Sequence, residues 1–550
     1  MVCKTRKLVR VTKLLLAGLT VICVSWIASV NEWHARVRWR NRQVDNDHGI
    51  STMRTIIAYS QDIREEMDRP SPVRCDRLPA FPEVPSINRT WTADSSNYGT
   101  WQRVTGTKVS IYSAFYDDRT SQPYIRILAF FHGRNASADQ TLFCQTRSLD
   151  PNENSVEVVA AKPLEIWWHE WDVQSTDIDY PFLLSCPLTG PLNGPTLVSL
   201  VTEPCLDPTN AHPLKHSLKR NQQKRIFTIC VKDLNFDKDI SQNLIEWIET
   251  NKILGVDIID VYIGNISKEI ESILQHYRDA GFIRLFHVPI RNKPERSLWQ
   301  RRRDHIITYN DCLYRNIQES EFIIPLDIDE IIMPKTANSL PELLKHLVKR
   351  GWNPKEYSAI MIKNVFFFKF MQKINKNYYN YKNKSKRYAK RDDVRIRYAR
   401  STKILDENNS VHLFDKNKLG NKNSVDVNEL QVYYENYNSR CGHDMPTSKL
   451  MTHVISSAFI SPIGFYSKSF MVTERVLTAF NHYPLASLGT SGFDGWPAPF
   501  KEVQLNHYKE SCNATVVPEC ELYQRDVRLD RTALRLRKKL IEALSNSICT

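Results

Sequence analysis

Three carboxylates follow a short apolar run near the middle of the 550-residue chain. Residues 322–326 read Phe-Ile-Ile-Pro-Leu, and Asp327, Ile328, Asp329 and Glu330 follow directly. In an extended segment, Asp327 and Asp329 point to the same side, and charges held that close raise each other's pKa unless a cation intervenes. Oxygen ligands suit Mg²⁺ or Mn²⁺, and such an ion neutralises a diphosphate leaving group. We therefore predict that Asp327 and Asp329 bind a divalent cation.

The Asp-x-Asp spacing alone is not specific, because the sequence contains it four times. Only the pair at 327 and 329 ends an apolar strand; the pairs at 45/47, 177/179 and 237/239 are typical of solvated loops or helix caps. The alternative for the fourth pair is a strand-end turn with solvated acids. Three acids at one strand end favour the metal interpretation.

The apolar patterns around these acids predict alternating strands and helices. Strands are predicted at 225–231, 258–263, 282–288 and 321–326, and helices at 239–254, 268–280 and 297–318. This alternation predicts an α/β fold with a doubly wound, mainly parallel sheet. Ligands of such sheets bind at the carboxyl ends of the strands. By fold analogy, we expect a nucleotide near Lys232 and Asp233, with Lys232 meeting phosphate or remaining solvated.

The rest of the chain divides by composition. Residues 14–30 are uncharged and follow five basic residues, which is typical of a short membrane-spanning signal anchor with a cytosolic N-terminus. A cleaved signal peptide is the alternative. The predicted segments are a cytosolic tail (1–13), a transmembrane anchor (14–30), a stem (31–75), a mostly β luminal region (76–220), a catalytic domain (225–515) and a C-terminal extension (516–550).

The net charge of +14 raises the question of a polyanionic partner. The excess lies in three segments, 1–13, 31–42 and 363–403, and the remainder of the chain is slightly acidic. We therefore predict no nucleic-acid partner.

Cysteines and glycosylation sequons both indicate the secretory pathway. Ten cysteines follow the predicted anchor without a Cys-x-x-Cys motif, which favours disulfides over a zinc ribbon. Their connectivity cannot be deduced, although Cys512 and Cys520 would close a short loop. Six Asn-x-Ser/Thr sequons follow the anchor, at Asn88, Asn135, Asn265, Asn383, Asn408 and Asn513.

Several short blocks, in order and spacing, resemble glycosyltransferase family 92, whose members are type II Golgi membrane enzymes with a GT-A-like fold. The blocks lie at 113–119, 244–247, 254–256, 310–315, 326–331, 467–470, 481–483 and 506–509. The resemblance spans about 109–510. The sequence departs from the family pattern at Ile331, where phenylalanine is usual, and in the Lys/Tyr/Asn-rich segment 369–403.

The resemblance implies inverting transfer of a hexose, galactose above others, from a UDP-sugar to a glycan or glycoprotein acceptor. Asp327 and Asp329 would hold Mn²⁺, or Mg²⁺, with the diphosphate. His507 is the favoured third ligand, since neutral imidazole binds Mn²⁺. His482 is the alternative ligand or a hydrogen-bond donor to the diphosphate.

Inversion requires a base for the acceptor hydroxyl. Asp494, in a glycine-flanked loop, is the first candidate, with Trp496 stacking on the sugar; an ordinary turn is the alternative. Glu330 is the second candidate, or it orients the sugar. Asp444 and Glu474 are further carboxylates that the sequence does not rank.

Two other classes of function compete with transfer. The first is a catalytically inactive, membrane-anchored glycan-binding protein, against which the intact Asp327/Asp329 pair argues. The second is a luminal hydrolase that uses paired carboxylates, which would release free sugar whether or not an acceptor is present.

Overall fold

The computed structural model describes most of the chain beyond residue 70. The described residues are 71–82, 101–133, 141–150, 155–168, 172, 175–192, 194–215, 223–235, 238–288, 296–372, 395–397, 427–488, 495–513, 517 and 519–549. The predicted tail and anchor, and nearly all of the stem, lie outside them. Within the described ranges, no helix is long and apolar enough to span a bilayer. Glu66–Thr550 forms one compact unit.

The N-terminal part of this unit is an eight-stranded antiparallel sheet with the order β1-β2-β3-β6-β5-β4-β7-β8. Its strands are β1 Gln102–Arg103, β2 Val109–Asp117, β3 Tyr124–His132, β4 Leu142–Ser148, β5 Val156–Glu165, β6 Asp179–Pro187, β7 Thr196–Val201 and β8 His212–Pro213. Strands β2 and β3 form a hairpin, pairing antiparallel from Val109 to Asp117. Trp167 and Trp168 are buried, so these two rings are core residues.

The α/β region begins with the alternation that the sequence predicts. Its first elements are β9 Arg225–Leu234, α1 Ser241–Ile253, β10 Ile258–Ile263, α2 Lys268–Asp279, β11 Ile283–His287, α3 Leu298–Asn316 and β12 Ser320–Pro325. The four strands pair in parallel in the order β11-β10-β9-β12. This is the order of a doubly wound sheet, in which the direction of strand addition reverses between β9 and β12.

The ends of helices α1 and α2 follow from local chemistry. The Ser267 side chain accepts from the Ile270 amide and caps the start of α2. Gly255 and Gly281, just beyond the two helices, both have positive φ, which glycine adopts without a steric penalty. At Gly255 a Cβ atom would also lie 3.1 Å from Pro341, so the close approach requires glycine.

The sheet continues beyond β12 with strands from the second half of the chain. These are β18 Lys468–Val472, antiparallel to β12, then β14 Ala359–Ile362 and β21 Gly495–Pro497, which completes seven strands. A three-stranded sheet joins β13 Glu330–Pro334, β22 Val503–Lys509 and β15 Asn364–Phe368 in the order β13-β22-β15. The sheet is therefore mixed, as predicted, and two sheets meet where β12 ends and β13 begins.

The remaining elements pack around these sheets. The strands are β16 Arg395–Arg397, β17 Ile455–Ser457, β19 Val476–Ala479, β20 Pro484–Ser487 and β23 Asp526–Leu529. The helices are α4 Leu340–Lys349, α5 Val427–Cys441, α6 Lys449–Thr452, α7 Cys520–Arg525 and α8 Arg537–Asn546. Leu540, Ile541 and Leu544 of α8 belong to the same hydrophobic core as α1. The C-terminal residues are thus part of the packed α/β region.

Five disulfides pair the ten cysteines that follow the predicted anchor. They are Cys75–Cys205, Cys144–Cys186, Cys230–Cys312, Cys441–Cys549 and Cys512–Cys520. The last pair closes the short loop that the sequence indicates. The sequon asparagines Asn265 and Asn513 are both exposed, as glycosylation requires; the other four sequons lie outside the described residues.

Helix α3 carries the packing between the antiparallel sheet and the α/β region. Asp311 of α3 is fully buried and accepts from Ser113 Oγ at 2.9 Å and from Tyr262 Oη at 2.7 Å. Lys215 Nζ lies 3.2 Å from the same carboxylate, and Arg315 also pairs with it. Ser113 lies in β2 and Lys215 follows β8, so one carboxylate connects the antiparallel sheet to the α/β region.

Candidate active site

Asp327, Asp329 and Glu330 lie in a tight turn between β12 and β13. The Glu330 amide donates to the Asp327 carbonyl at 3.0 Å, and the Asp327 amide donates to Glu330 Oε2 at 3.1 Å. The extended conformation assumed for this segment is therefore wrong. The chain turns here before β13 pairs with β22, and the two aspartates contact different basic side chains.

Asp327 contacts two ammonium groups. Its Oδ1 lies 2.8 Å from Lys232 Nζ at the carboxyl end of β9, and its Oδ2 lies 3.5 Å from Lys468 Nζ on β18. Burial alone would raise the pKa of Asp327, but Lys232 and Lys468 outweigh it and hold the pKa well below its usual range. Asp327 is therefore a carboxylate at all physiological pH values.

Asp329 is the most accessible of the three acids, with 40% of its side chain exposed. Its Oδ2 lies 3.5 Å from His507 Nε2 and 3.7 Å from Lys509 Nζ, both on β22. Burial opposes ionisation, yet His507 and Lys509 prevail and lower the pKa of Asp329 to about 2. The backbone is also fixed, because the Asp329 carbonyl accepts from the Tyr508 amide at 2.8 Å.

Glu330 is 1% exposed and pairs in register with His507 across β13 and β22. Its Oε2 lies 3.3 Å from Lys468 Nζ, and its Oε1 lies 3.5 Å from His507 Nδ1. Burial raises the pKa of Glu330 in spite of Lys468. This side chain closes the turn from inside and is shielded from solvent.

The sequence did not assign a role to Lys468, which the structure places at the centre of the site. Its side chain is fully buried, and its Nζ donates to Asn481 Oδ1 at 2.8 Å. Asn481 in turn contacts His482 Nε2 at 3.2 Å, while His482 Nδ1 lies 2.8 Å from the Ser467 carbonyl. A lysine at the start of an otherwise apolar strand was the available signal. The blocks 467–470 and 481–483, which resemble the family, thus form one network behind the acids.

Asp233 is adjacent to Lys232 but serves a different set of partners. Its carboxylate lies 3.0 Å from Arg296 and 3.2 Å from His305 Nε2. Burial opposes ionisation, and His305 and Arg296 together lower the pKa of Asp233. These contacts attach the end of β9 to helix α3 and to the residues just before it.

One predicted residue, Trp496, is described away from the acid turn. Trp496 lies in the edge strand β21, opposite Ile360, and its half-buried ring packs against the main core. No contact recorded among the described residues links Trp496 to the three acids. Asp494, the predicted base, lies outside the described residues.

A cleft of about 300 Å³ opens beside Asp329. Its lining includes Asp329, Trp247, Lys449, Tyr508 and Lys509, and it also reaches the start of α1. The volume is at the lower end of the range for ligand pockets. Since Asp329 is shared by the cleft and the acid turn, a ligand in this cleft would contact the charged centre.

The acid turn and His507 offer donor atoms of the kind that divalent cations bind. Among the described residues, no group of three His, Cys, Asp or Glu side chains is already arranged as a metal site. Nevertheless, neither ring nitrogen of the buried His507 has a hydrogen-bond partner there, which is unusual for buried imidazole. His507 Nε2 lies 3.5 Å from Asp329 Oδ2, a separation that two ligands of one ion can have. Asp329 and His507, with Asp327, therefore fit a divalent ion chemically.

Stability is expected to fall on acidification below about pH 6.5. Burial, aided by Lys468, lowers the pKa of His482 to about 3, and burial, aided by Lys215, lowers the pKa of His212 to about 3. The unfolded chain therefore binds protons that the folded chain excludes. Stability that is present above pH 6.5 is lost as the pH falls toward 3, by up to about 1.4 kcal/mol per pH unit for each histidine.

Denaturant unfolding at pH 7, 6 and 5 measures this slope. His212→Asn should flatten it, while His276→Asn, at an exposed position, should leave it unchanged. Equal slopes for all three chains would contradict the prediction.

Comparisons with known proteins identify one family. The model of glycosyltransferase family 92 matches residues 225–542, from the start of β9 into helix α8. No curated protein matches the chain. Among solved structures, a ferredoxin-NADP+ reductase from Plasmodium falciparum with 2'P-AMP aligns at 9% identity over 39% of this chain and 84% of its own. Its TM-score is 0.08, so it carries no argument about the fold.

Proposed function

Because the chain belongs to glycosyltransferase family 92, we propose that it transfers a hexose, galactose above others, from a UDP-sugar to a glycan or glycoprotein acceptor with inversion. The supporting observation is the turn of three carboxylates, faced by Lys232, Lys468 and Lys509, beside an open cleft. Acids and cations alternating at a strand end suit a diphosphate accompanied by a cation.

We propose a GT-A-like arrangement for the domain. Supporting this are the parallel order β11-β10-β9-β12 and the antiparallel strand β18 inserted next to β12. In this arrangement the nucleotide would lie at the carboxyl ends of β9 and β12, where Lys232 and Asp327 stand. Asp233 then acts as a support for this edge, since its carboxylate is occupied by Arg296 and His305.

The proposed cofactor is Mn²⁺ or Mg²⁺, held by Asp327, Asp329 and His507. When bound, such an ion would neutralise the charge that develops on the diphosphate leaving group. Lys509 and Lys449 on the cleft would offer further positive charge to the same ligand. His482 is placed behind Lys468, so we assign it a role in holding the network.

Glu330 is better suited to positioning than to proton abstraction. It is 1% exposed, and both of its carboxylate oxygens face protein groups, so an acceptor hydroxyl has no access to it. Asp494 stays the predicted base. Trp496, which follows Gly495 in the same segment, stays a predicted stacking residue.

We further propose that the protein is a single-pass type II protein of the Golgi membrane, with residues 31–550 in the lumen. The five disulfides and the exposed sequons Asn265 and Asn513 support an oxidising, glycosylating compartment. Tagging each end and testing protease protection in sealed microsomes checks the topology: the N-terminal tag should be cut and the C-terminal tag protected.

A donor panel tests the proposed activity directly. The chain without residues 1–30 is incubated with Mn²⁺, a mixed glycan acceptor and UDP-Gal, UDP-Glc, UDP-GlcNAc or GDP-sugars in turn. We expect UDP release that requires both Mn²⁺ and acceptor, fastest with UDP-Gal. Free sugar formed equally with and without acceptor would indicate a hydrolase instead. Mn²⁺-dependent UDP binding without turnover on any glycan would indicate an inactive glycan-binding protein.

A further inference from the structure

The acid turn and the lysines that contact it contain equal numbers of carboxylate and ammonium groups. Asp327, Asp329 and Glu330 face Lys232, Lys468 and Lys509 at distances between 2.8 and 3.7 Å. A divalent ion bound alone would add two positive charges beside these ammonium groups. Because like charges repel strongly in a partly desolvated site, such an ion requires either an added anion or the departure of a lysine.

The two lysines on Asp327 differ in their freedom to move. Lys468 is fully buried and donates to Asn481 at 2.8 Å, so it is confined within the protein. Lys232 is 28% exposed and reaches Asp327 from the end of β9 on a flexible four-carbon chain. Only Lys232 can leave Asp327 without carrying a charge through the core.

The backbone around Lys232 is fixed, which limits any movement to its side chain. The neighbouring Asp233 is held by Arg296 at 3.0 Å and His305 at 3.2 Å. On the other side, the Leu326 amide donates to the Cys230 carbonyl at 3.1 Å, and Cys230 is disulfide-bonded to Cys312 of α3. Lys232 is thus a partly exposed cation on a strand end that its neighbours hold in place.

From these contacts we infer that Lys232 occupies the cation position on Asp327 while the donor is absent, and moves to the donor diphosphate when a metal and nucleotide bind together. The inference rests on the proposed function. Lys232 would therefore couple the two binding events: it weakens binding of the metal alone and strengthens binding of the nucleotide. Thermodynamic linkage makes this coupling reciprocal.

The test measures binding without turnover. Free Mn²⁺ is titrated into the soluble chain and followed by electron paramagnetic resonance, first without nucleotide and then with saturating UDP. In the wild type we expect UDP to tighten Mn²⁺ binding about tenfold or more. In Lys232→Met we expect Mn²⁺ alone to bind about tenfold more tightly, and UDP at saturating Mn²⁺ to bind about tenfold more weakly.

Two matched variants control for shape and for general charge. Lys232→Arg keeps the cation and should retain the weak binding of Mn²⁺ alone. Lys268→Met removes an exposed lysine at the start of α2 that does not line the cleft, and should change neither titration. Thermal unfolding of every variant shows whether it is folded.

Each outcome decides between the inference and the proposed function. If the wild type binds UDP with Mn²⁺ but Lys232→Met binds Mn²⁺ alone no more tightly, the inference is overturned and the proposed function stands. If the wild type binds neither Mn²⁺ nor UDP, both are overturned. A folded Lys232→Met chain with tighter Mn²⁺ and weaker UDP binding supports the inference.

Discussion

Asp329→Asn is expected to lower the rate of sugar transfer by a factor of about 10³ or more while leaving the protein folded. Asp329 is the acid that borders both the turn and the cleft, so it is the carboxylate that a bound cation and substrate would share. Loss of one group that stabilises charge in the transition state costs a factor of about 10² to 10³. Loss of a ligand to the cation adds to that cost.

The fold should tolerate this change because asparagine has the same shape and the lost contacts are weak. His507 and Lys509 lie 3.5 and 3.7 Å from the carboxylate, and 40% of the Asp329 side chain is exposed. Partly exposed ion pairs contribute up to about 1 kcal/mol. Asp327→Asn is a less clean test, since it leaves the fully buried Lys468 ammonium with reduced compensation.

The measurement combines initial rates with UDP-Gal and a glycan acceptor, the Mn²⁺ affinity, and the unfolding temperature. Asp279→Asn, an exposed acid at the end of α2, is the matched control and should behave as the wild type. An Asp329→Asn enzyme with more than a tenth of the wild-type rate would refute the role assigned to this carboxylate.

Asp311→Ala is expected to destabilise the protein by about 3–5 kcal/mol, the usual effect of removing one member of a buried ionic network. The carboxylate is fully buried, and burial is outweighed by Arg315 and Lys215, which hold the pKa of Asp311 far below its usual range. Its removal leaves these cations, Ser113 and Tyr262 without their shared acceptor.

The loss should weaken the attachment of the antiparallel sheet to the α/β region, although Asp311 does not line the cleft. Urea unfolding of the soluble chain measures the free energy of unfolding, and limited proteolysis between residues 215 and 225 reports separation of the two halves. Asp279→Ala is the control for loss of an acid from a helix. An unfolding free energy for Asp311→Ala within 1 kcal/mol of the control would exclude a joining role for this residue.

Secondary structure in the first part of the α/β region could be predicted because it depends on local patterns. The apolar periodicity at 225–326 predicted four strands and three helices, and all seven are present with ends shifted by a few residues. Gly255 and Gly281, just beyond two of these helices, have the positive φ that glycine adopts readily.

The site could be predicted only in part. The acids at 327, 329 and 330 and the opposing His507 were identified, and the structure brings them together with Lys232. The conformation of the acids was misjudged, because a reversal after β12 depends on pairing of β13 with β22, which begins more than 170 residues later. Lys468 and Asn481 lie in blocks that resemble the family, but the sequence indicated no role for either residue.

The sequence by itself determined the elements between residues 225 and 326, the cysteine and sequon content, and the strand end that gathers three carboxylates, since each depends on residues close together in the chain. Tertiary structure alone decided which cations face those carboxylates. Lys232, Lys468 and His507 come from β9, β18 and β22, and only the order of strands in the two sheets places them around one turn. Charge balance between distant residues has no periodic signature, so it is visible only once the sheets are formed.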